Sequence, residues 1–316
     1  MEGTRGKVKL GTESDCADWM SQLPEDLWNI PLSSLAIPGS HDTMTYCLDR
    51  SSPLVSEPPI LSVMDFIVPC ITRPCLYKWG TTQEQQVAAQ LDAGIRYLDL
   101  RIAHKRGDFS CAFYFAHGIY TLLTVEDALS DIAAWLKSHR KEVVILACSM
   151  FDGLNDEHHK LLIGLIINLF GDKICPNTVN PSLGIMWKLG YQVIVSYDHE
   201  AGSSYEELWH QIPYWWANEL DPQKVIAYLE AQKRVGRPDG FFVAGLNLTE
   251  NARYIVTHPC QSLNSLTTRS YSAFLEWVPT QSPGLGRACL NIICGDFVVG
   301  MKRFASMVID LNKKLL

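Results

Sequence analysis

A short apolar run, Leu35-Ala-Ile37, stops at Pro38-Gly39, and His41-Asp42 follow at once. A buried strand that ends in a tight turn presents such side chains at a rigid edge, and imidazole is the group best suited to moving protons near neutral pH. Further strand ends complete a set. Ile95-Arg-Tyr-Leu-Asp-Leu-Arg101 places Asp99 and Arg101 two residues apart, hence on one face. Ala116-His117-Gly118 closes another run, a fourth ends at Ser149, and the last ends at Gly295-Asp296. Two histidines, an arginine and three aspartates suit metal-free attack on a phosphodiester. One histidine deprotonates a hydroxyl, the other protonates the departing oxygen, and the guanidinium neutralises the phosphoryl oxygens. A carboxylate bonded to a histidine fixes its tautomer and supports its cation.

Only an architecture that gathers strand ends on one rim brings these residues together. Apolar runs at 34–37, 95–102, 112–116, 143–149, 192–197, 213–216, 241–248 and 291–298 alternate with segments of helical spacing. Those segments lie at 87–91, 125–136, 156–170, 182–189, 221–234, 263–277 and 302–311, and Asp221-Pro222 reads as an N-cap with a first-turn proline. Most of the runs are continuously apolar, as in strands covered on both faces. The pattern predicts a single (β/α)8 TIM-type barrel, irregular near 203–220, with functional residues at the C-terminal ends of its strands. A doubly wound open sheet is the competing fold, but the glycine fingerprint of a dinucleotide site is missing after the first strand. Residues 1–29 read as tail and lead-in and 30–316 as the barrel. The proline-rich segment 49–79 is expected to pack against the body, with a lid or lipid-facing rim as the alternative.

With 47% hydrophobic and 19% charged residues, the 316-residue chain is neither disordered nor fibrous. A net charge of −7 argues against a nucleic-acid footprint. The most apolar stretch, 60–71, is broken by Asp65 and Pro69 and falls short of the roughly 20 residues a membrane span needs, so membrane contact is expected to be peripheral. Residues 1–11 carry Arg5, Lys7 and Lys9 without an apolar segment and read as a solvated tail, not a signal peptide. The ten cysteines form no CxxC pair or zinc-like cluster, which predicts reduced thiols and a cytoplasmic protein.

Ala36-Ile-Pro-Gly-Ser-His-Asp-Thr43, Gly94-Ile-Arg-Tyr-Leu-Asp-Leu-Arg101 and His117-Gly118, in that order and spacing, resemble the X-domain signature of phosphatidylinositol-specific phospholipase C. Asp18-Trp-Met20, Pro213-Tyr-Trp-Trp216 and Ala244-Gly-Leu-Asn-Leu-Thr-Glu250 extend the resemblance to a small animal family of X-domain-containing phospholipase C-like proteins. The resemblance implies that His41 takes the proton of the inositol 2-hydroxyl and His117 protonates the diacylglycerol oxygen. It implies a cyclic inositol phosphate that the same histidines open with water. It further implies that Arg101 binds the phosphate, Asp42 supports that network and Asp296 orients His41. Asp99, Ser149, Tyr197, Trp216 and Asn218 are the expected substrate contacts. Arg101 stands where calcium-dependent relatives carry an acidic metal ligand, so no catalytic calcium and no other cofactor is expected. The expected partner is an inositol phospholipid at a membrane surface. Ser149 departs from the lysine or glutamate of the resembled enzymes, and Ser196-Tyr-Asp-His199 supplies no arginine. Two rival readings therefore stand beside the enzyme: an inositol-lipid-binding module without turnover, and a glycerophosphodiester as substrate.

Overall fold

The computed structural model describes residues 16–55, 69–108, 110–301 and 303–316. The expected tail at 1–11 and most of the apolar stretch 60–71 lie outside the described residues.

Eight strands follow one another in parallel around a barrel wall. They are β1 (Ile37–Ser40), β2 (Tyr97–Ala103), β5 (Val144–Asp152), β6 (Val193–Tyr197), β7 (Leu208–Trp209), β8 (Tyr214–Trp215), β9 (Val243–Gly245) and β10 (Ile292–Gly295), in the spatial order β7-β6-β5-β2-β1-β10-β9-β8. Neighbours pair in parallel throughout, and among the described residues no pairing joins β7 to β8, so the wall has a seam there. The seam coincides with the irregular unit expected near 203–220.

One expected barrel strand is not one. Residues 112–116 fall in β3 (Tyr114–His117) and its approach, and β3 forms an antiparallel hairpin with β4 (Ile119–Thr124) on the C-terminal end of β2. The connection from Ala103 to Tyr114 contains no helix among its described residues and is too short to cross over, so the chain folds back antiparallel. The two-residue β7, which carries almost no apolar run, takes the eighth place.

Side chains of the wall alternate between two cores. Ile37, Tyr97, Ile145, Ile194, Val243 and Ile292 fill the barrel interior, whereas Leu98, Leu100, Leu146, Val195, Tyr197 and Ile293 pack outward against the helices. Double coverage explains why the runs read as continuously apolar. The outer layer includes Val125–Ser138, Asp156–Phe170, Pro222–Val235 and Leu263–Trp277. The first two are opened by capping boxes from Thr124 and Asn155, and the third by Asp221 ahead of Pro222.

The segment between β1 and β2 packs against the body where it is described. Its helix Pro69–Gly80 buries Trp79 edge-on to Tyr254, with 5.9 Å between ring centroids. At the opposite end of the barrel, Trp19 and Met20 are buried and the Trp19 indole donates to the Gly94 carbonyl.

Candidate active site

His41 and Asp42 follow β1 directly. Gly39 is required just before them, because a Cβ there would lie 2.9 Å from Cδ1 of Tyr97 on the neighbouring strand. Asp42 takes φ = 43°, a left-handed conformation that aspartate tolerates better than most residues. Its amide donates to Asp99 Oδ2 (3.1 Å), which ties the turn to β2.

The His41 ring is held from both sides. Nδ1 lies 2.7 Å from Asp296 Oδ1, at the end of β10, and Arg101 Nη2 lies 2.7 Å from Nε2. A guanidinium only donates, so Nε2 accepts and Nδ1 carries the hydrogen toward Asp296. Arg101 also donates through Nε to Asp42 Oδ1 (2.8 Å) and stands 3.4 Å from Asp99 Oδ2. Burial pulls the His41 pKa down, but Asp296 and Asp42 outweigh both burial and Arg101, and the net direction is upward. Burial pushes Asp42 up, but Arg101, His117 and His41 overcome it and hold the carboxylate ionised.

His117 comes from the hairpin, at the end of β3. Its Nδ1 donates to the Gly80 carbonyl (2.8 Å) at the end of helix Pro69–Gly80 and lies 3.7 Å from Asp42 Oδ2, leaving Nε2 free for other partners. Gly80 permits the approach, since a Cβ would sit 2.9 Å from the His117 carbonyl oxygen. The long segment between β1 and β2 thus orients the second histidine.

His41, Arg101 and His117 open onto a cavity of about 600 Å³ at the C-terminal ends of the strands, lined also by Asp99, Ser149 and Trp216. Of the ten residues singled out from sequence, eight therefore converge, six on the cavity wall and Asp42 and Asp296 directly behind it. Two do not. Tyr197 points outward, where its hydroxyl lies 2.7 Å from His159 Nδ1 and its ring stacks on Phe151, because period-two alternation sends its neighbours Ser196 and Asp198 inward instead. Asn218 is exposed with φ = 54° and does not line the cavity.

Several site residues carry no motif that sequence reasoning could read. Thr82 and Gln83 sit in a polar stretch between two helices. Gln83 Nε2 donates to the carbonyls of His41 and Gly295, both at 3.0 Å, and its Oε1 accepts from the Val298 amide, so one buried amide sets the spacing of the His41 and Asp296 strand ends. Asp198, Gln211, Tyr214, Asn247, Thr249 and Glu250 also line the cavity. Burial raises the Glu250 carboxyl above its ordinary range, opposed by His117 and His41. Asn247 is buried and accepts from the Tyr214 hydroxyl.

His41, Asp42 and Asp99 bring ligand-type atoms within 4.8 Å of one another, a spacing that could suit a metal ion. All three also lie beside the Arg101 guanidinium.

Comparison with known proteins bears on the family and the fold. The PI-PLC X 1 family model matches residues 78–228, a span that includes Arg101, His117 and Ser149. A zebrafish (Danio rerio) PI-PLC X domain-containing protein 1 is 57% identical over 95% of this chain and 98% of its own length. The human (Homo sapiens) protein of that name is 49% identical over 95% and 93%. Among solved structures, a phosphatidylinositol-specific phospholipase C from Staphylococcus aureus superposes with TM-score 0.62 at 15% identity, covering 95% of this chain and 99% of that one. The enzyme from Listeria monocytogenes gives 0.61 at 19%, covering 96% and 99%. At these identities the structural likeness concerns the fold.

Proposed function

The chain belongs to the PI-PLC X domain-containing protein family, and from that premise we propose that it is a calcium-independent phosphodiesterase acting on an inositol phospholipid at a membrane surface. His41 takes the proton of the inositol 2-hydroxyl and His117 protonates the departing diacylglycerol oxygen. The cyclic inositol phosphate so formed is opened by water with the two roles exchanged. The observation that carries this reading is the His41 ring fixed between Asp296 and Arg101, with His117 across the same cavity. The substrate hydroxyl replaces Arg101 Nη2 at His41 Nε2, which frees the guanidinium for a phosphoryl oxygen. As His41 gains the proton, Asp296 stabilises the imidazolium. We place the protein in the cytoplasm with peripheral membrane contact. Its ten free cysteines fit a reducing compartment, and no helix among the described residues is long and apolar enough to cross a membrane.

The test is diacylglycerol release from phosphatidylinositol vesicles in the presence of a chelator. Release is expected to persist there and to fall by about 10²–10⁴-fold in His117→Ala, the range for loss of a general acid. Strict dependence on calcium would overturn the metal-free mechanism. Ser149, which leaves β5 without a charged contact beside Arg101, favours a second reading, an inositol-lipid-binding module. Vesicle binding with no release above that of a variant lacking both histidines would select it.

The pH profile gives an independent check. A base must be neutral to act, and the His41 pKa lies above its ordinary 6.5, so kcat/KM should fall with acid through a midpoint above 6.5. Asp296→Asn removes the foremost raising group, and the midpoint should move to lower pH while the maximal rate drops. An acid limb that stays in place in Asp296→Asn assigns it to another group.

A further inference from the structure

We infer that Gln83 is a positioning residue of the reaction, acting on the general base His41 by fixing the aim of the Asp296 carboxylate. The inference rests on the phosphodiesterase reading. Gln83 is fully buried and does not line the cavity, so it acts only through other residues.

Among the described residues the Asp296 side chain makes one hydrogen bond, from Oδ1 to His41 Nδ1, and Oδ2 has no partner. The backbone around Asp296 must therefore aim the carboxylate. It turns at once, with Phe297 in the left-handed region at φ = 51°. Residues 82 and 83 clamp this turn on both flanks. Before Asp296, the Gly295 carbonyl accepts from Gln83 Nε2 at 3.0 Å. After it, the Phe297 amide donates to the Thr82 carbonyl at 2.7 Å and the Val298 amide to Gln83 Oε1 at 3.2 Å. Gln83 Nε2 also donates to the His41 carbonyl at 3.0 Å, which binds one side-chain amide to the base and to its carboxylate together. Carbonyls only accept and the Val298 amide only donates, so the partners fix which end of the Gln83 amide is which.

Without Gln83 the two strand ends still meet, because the His41 amide donates to the Gly295 carbonyl at 3.1 Å. One such contact is a pivot, and the Gln83 amide removes the rotation about it. The His41 carbonyl likewise keeps a donor in Thr82 Oγ1 at 2.9 Å. Loss of the Gln83 side chain is therefore expected to relax the aim of Asp296 while the fold survives. The stretch that carries Gln83 also reaches the general acid, since the Gly80 carbonyl accepts from His117 Nδ1. Residues 80–83 thus bond to the acid at one end and to the base and its carboxylate at the other. A displacement of about 1 Å at a reacting group can cost about 10²-fold in rate. Burial lowers the His41 pKa and Asp296 is the foremost group opposing it, with Arg101 lowering and Asp42 raising it from the same side of the cavity. A looser Asp296 contact therefore moves the His41 midpoint down.

The test is a cycle of Gln83→Met, which keeps the length and removes the polar atoms, with Asp296→Asn and the two combined. On phosphatidylinositol vesicles Gln83→Met is expected to lower kcat by about 10–10²-fold with KM within about threefold of wild type. The acid midpoint of kcat/KM should move to lower pH. In the Asp296→Asn background the same substitution should cost less than about threefold, because the contact it acts through is already gone. Gln83→Asn, whose amide is one methylene short of its partners, should follow Gln83→Met and serves where the methionine variant does not fold. Nuclear magnetic resonance titration of the His41 ring, assigned by the signal lost in His41→Asn, should give the same downward midpoint without any lipid. Glu142→Ala, altered at the other end of the barrel, should leave that midpoint in place. Equal losses in both backgrounds, or an unmoved midpoint in the Gln83 variants, overturn the inference. A lowered ring midpoint in a protein that does not cleave lipid supports the positioning and defeats the enzyme reading alone. Wild-type turnover with an unmoved midpoint in the variants defeats the positioning alone.

Discussion

Arg101→Ala is expected to lower diester cleavage by about 10³–10⁵-fold, the range found where an arginine supplies the cation of a phosphoryl-transfer transition state. The size of the effect follows from how many groups share this side chain. Its Nε is bonded to Asp42, its Nη2 to His41, and Asp99 stands 3.4 Å away. Without it the developing phosphoryl charge meets two aspartates and no fixed cation. Burial would also push Asp42 upward with its foremost opposing group gone. Arg101→Lys restores charge but not the fork, since one ammonium cannot serve Asp42 and His41 in the positions Nε and Nη2 occupy. The lysine variant is therefore expected to recover less than tenfold of the loss. The check is kcat on phosphatidylinositol vesicles with circular dichroism to confirm folding, and an alanine variant within tenfold of wild type would remove Arg101 from the phosphate site. Calcium added to the wild type should leave the rate unchanged, because the donor atoms of His41, Asp42 and Asp99 already face the guanidinium.

The period of two that made Arg101 legible in the sequence also shows where the reading failed. Spacing alone places Asp99 and Arg101 on one face, and the same rule run along β6 turns Ser196 and Asp198 inward and Tyr197 outward. The resemblance alone puts Tyr197 in the site, and the alternation overrides it. The ends of β2 and β10 are readable because a largely apolar run stops at a charged residue, and the end of β1 because its short run stops at Pro38-Gly39 just before His41-Asp42. β7 was not, since two residues carry no periodicity, and its place was given to the run that became the β3–β4 hairpin. That exchange leaves His117 at the end of its run but puts the run in a hairpin rather than in the barrel wall. The ring is held by the end of a helix in the long segment between β1 and β2, a contact no local pattern encodes. Gln83 was invisible for the same reason. Its partners at 41, 295 and 298 are distant in sequence, and a glutamine in a polar stretch ordinarily reads as solvated loop.

Glu142→Ala should destabilise the protein by about 3–5 kcal/mol, the cost of breaking a buried ion pair from one side. Arg96 and Glu142 are both fully buried at the end of the barrel away from the cavity. Arg96 Nε and Nη2 donate to Glu142 Oε2 at 3.0 and 2.7 Å, and its remaining hydrogens go to the carbonyls of Leu91, Ile95 and Ala17. The Glu142 carboxylate also accepts from the amides of Met20 and Ser21, so the pair fastens residues 16–21 to the start of β2. Burial disfavours both charges: Arg96 is lowered and Glu142 raised, each resisted chiefly by the other. Removing the carboxylate leaves a guanidinium in the core with no counter-charge and frees two amides. Joint replacement, Arg96→Met with Glu142→Leu, should recover most of the loss, because the cost lies in the unpaired charge rather than in the missing bond. Urea unfolding measures both variants, and a Glu142→Ala loss below about 1 kcal/mol would refute the argument. Arg96 immediately precedes β2, which carries Asp99 and Arg101, yet neither Arg96 nor Glu142 lines the cavity. At temperatures where Glu142→Ala remains folded, its KM and kcat should therefore match the wild type, separating the end of the barrel that holds the fold from the end that holds the phosphate.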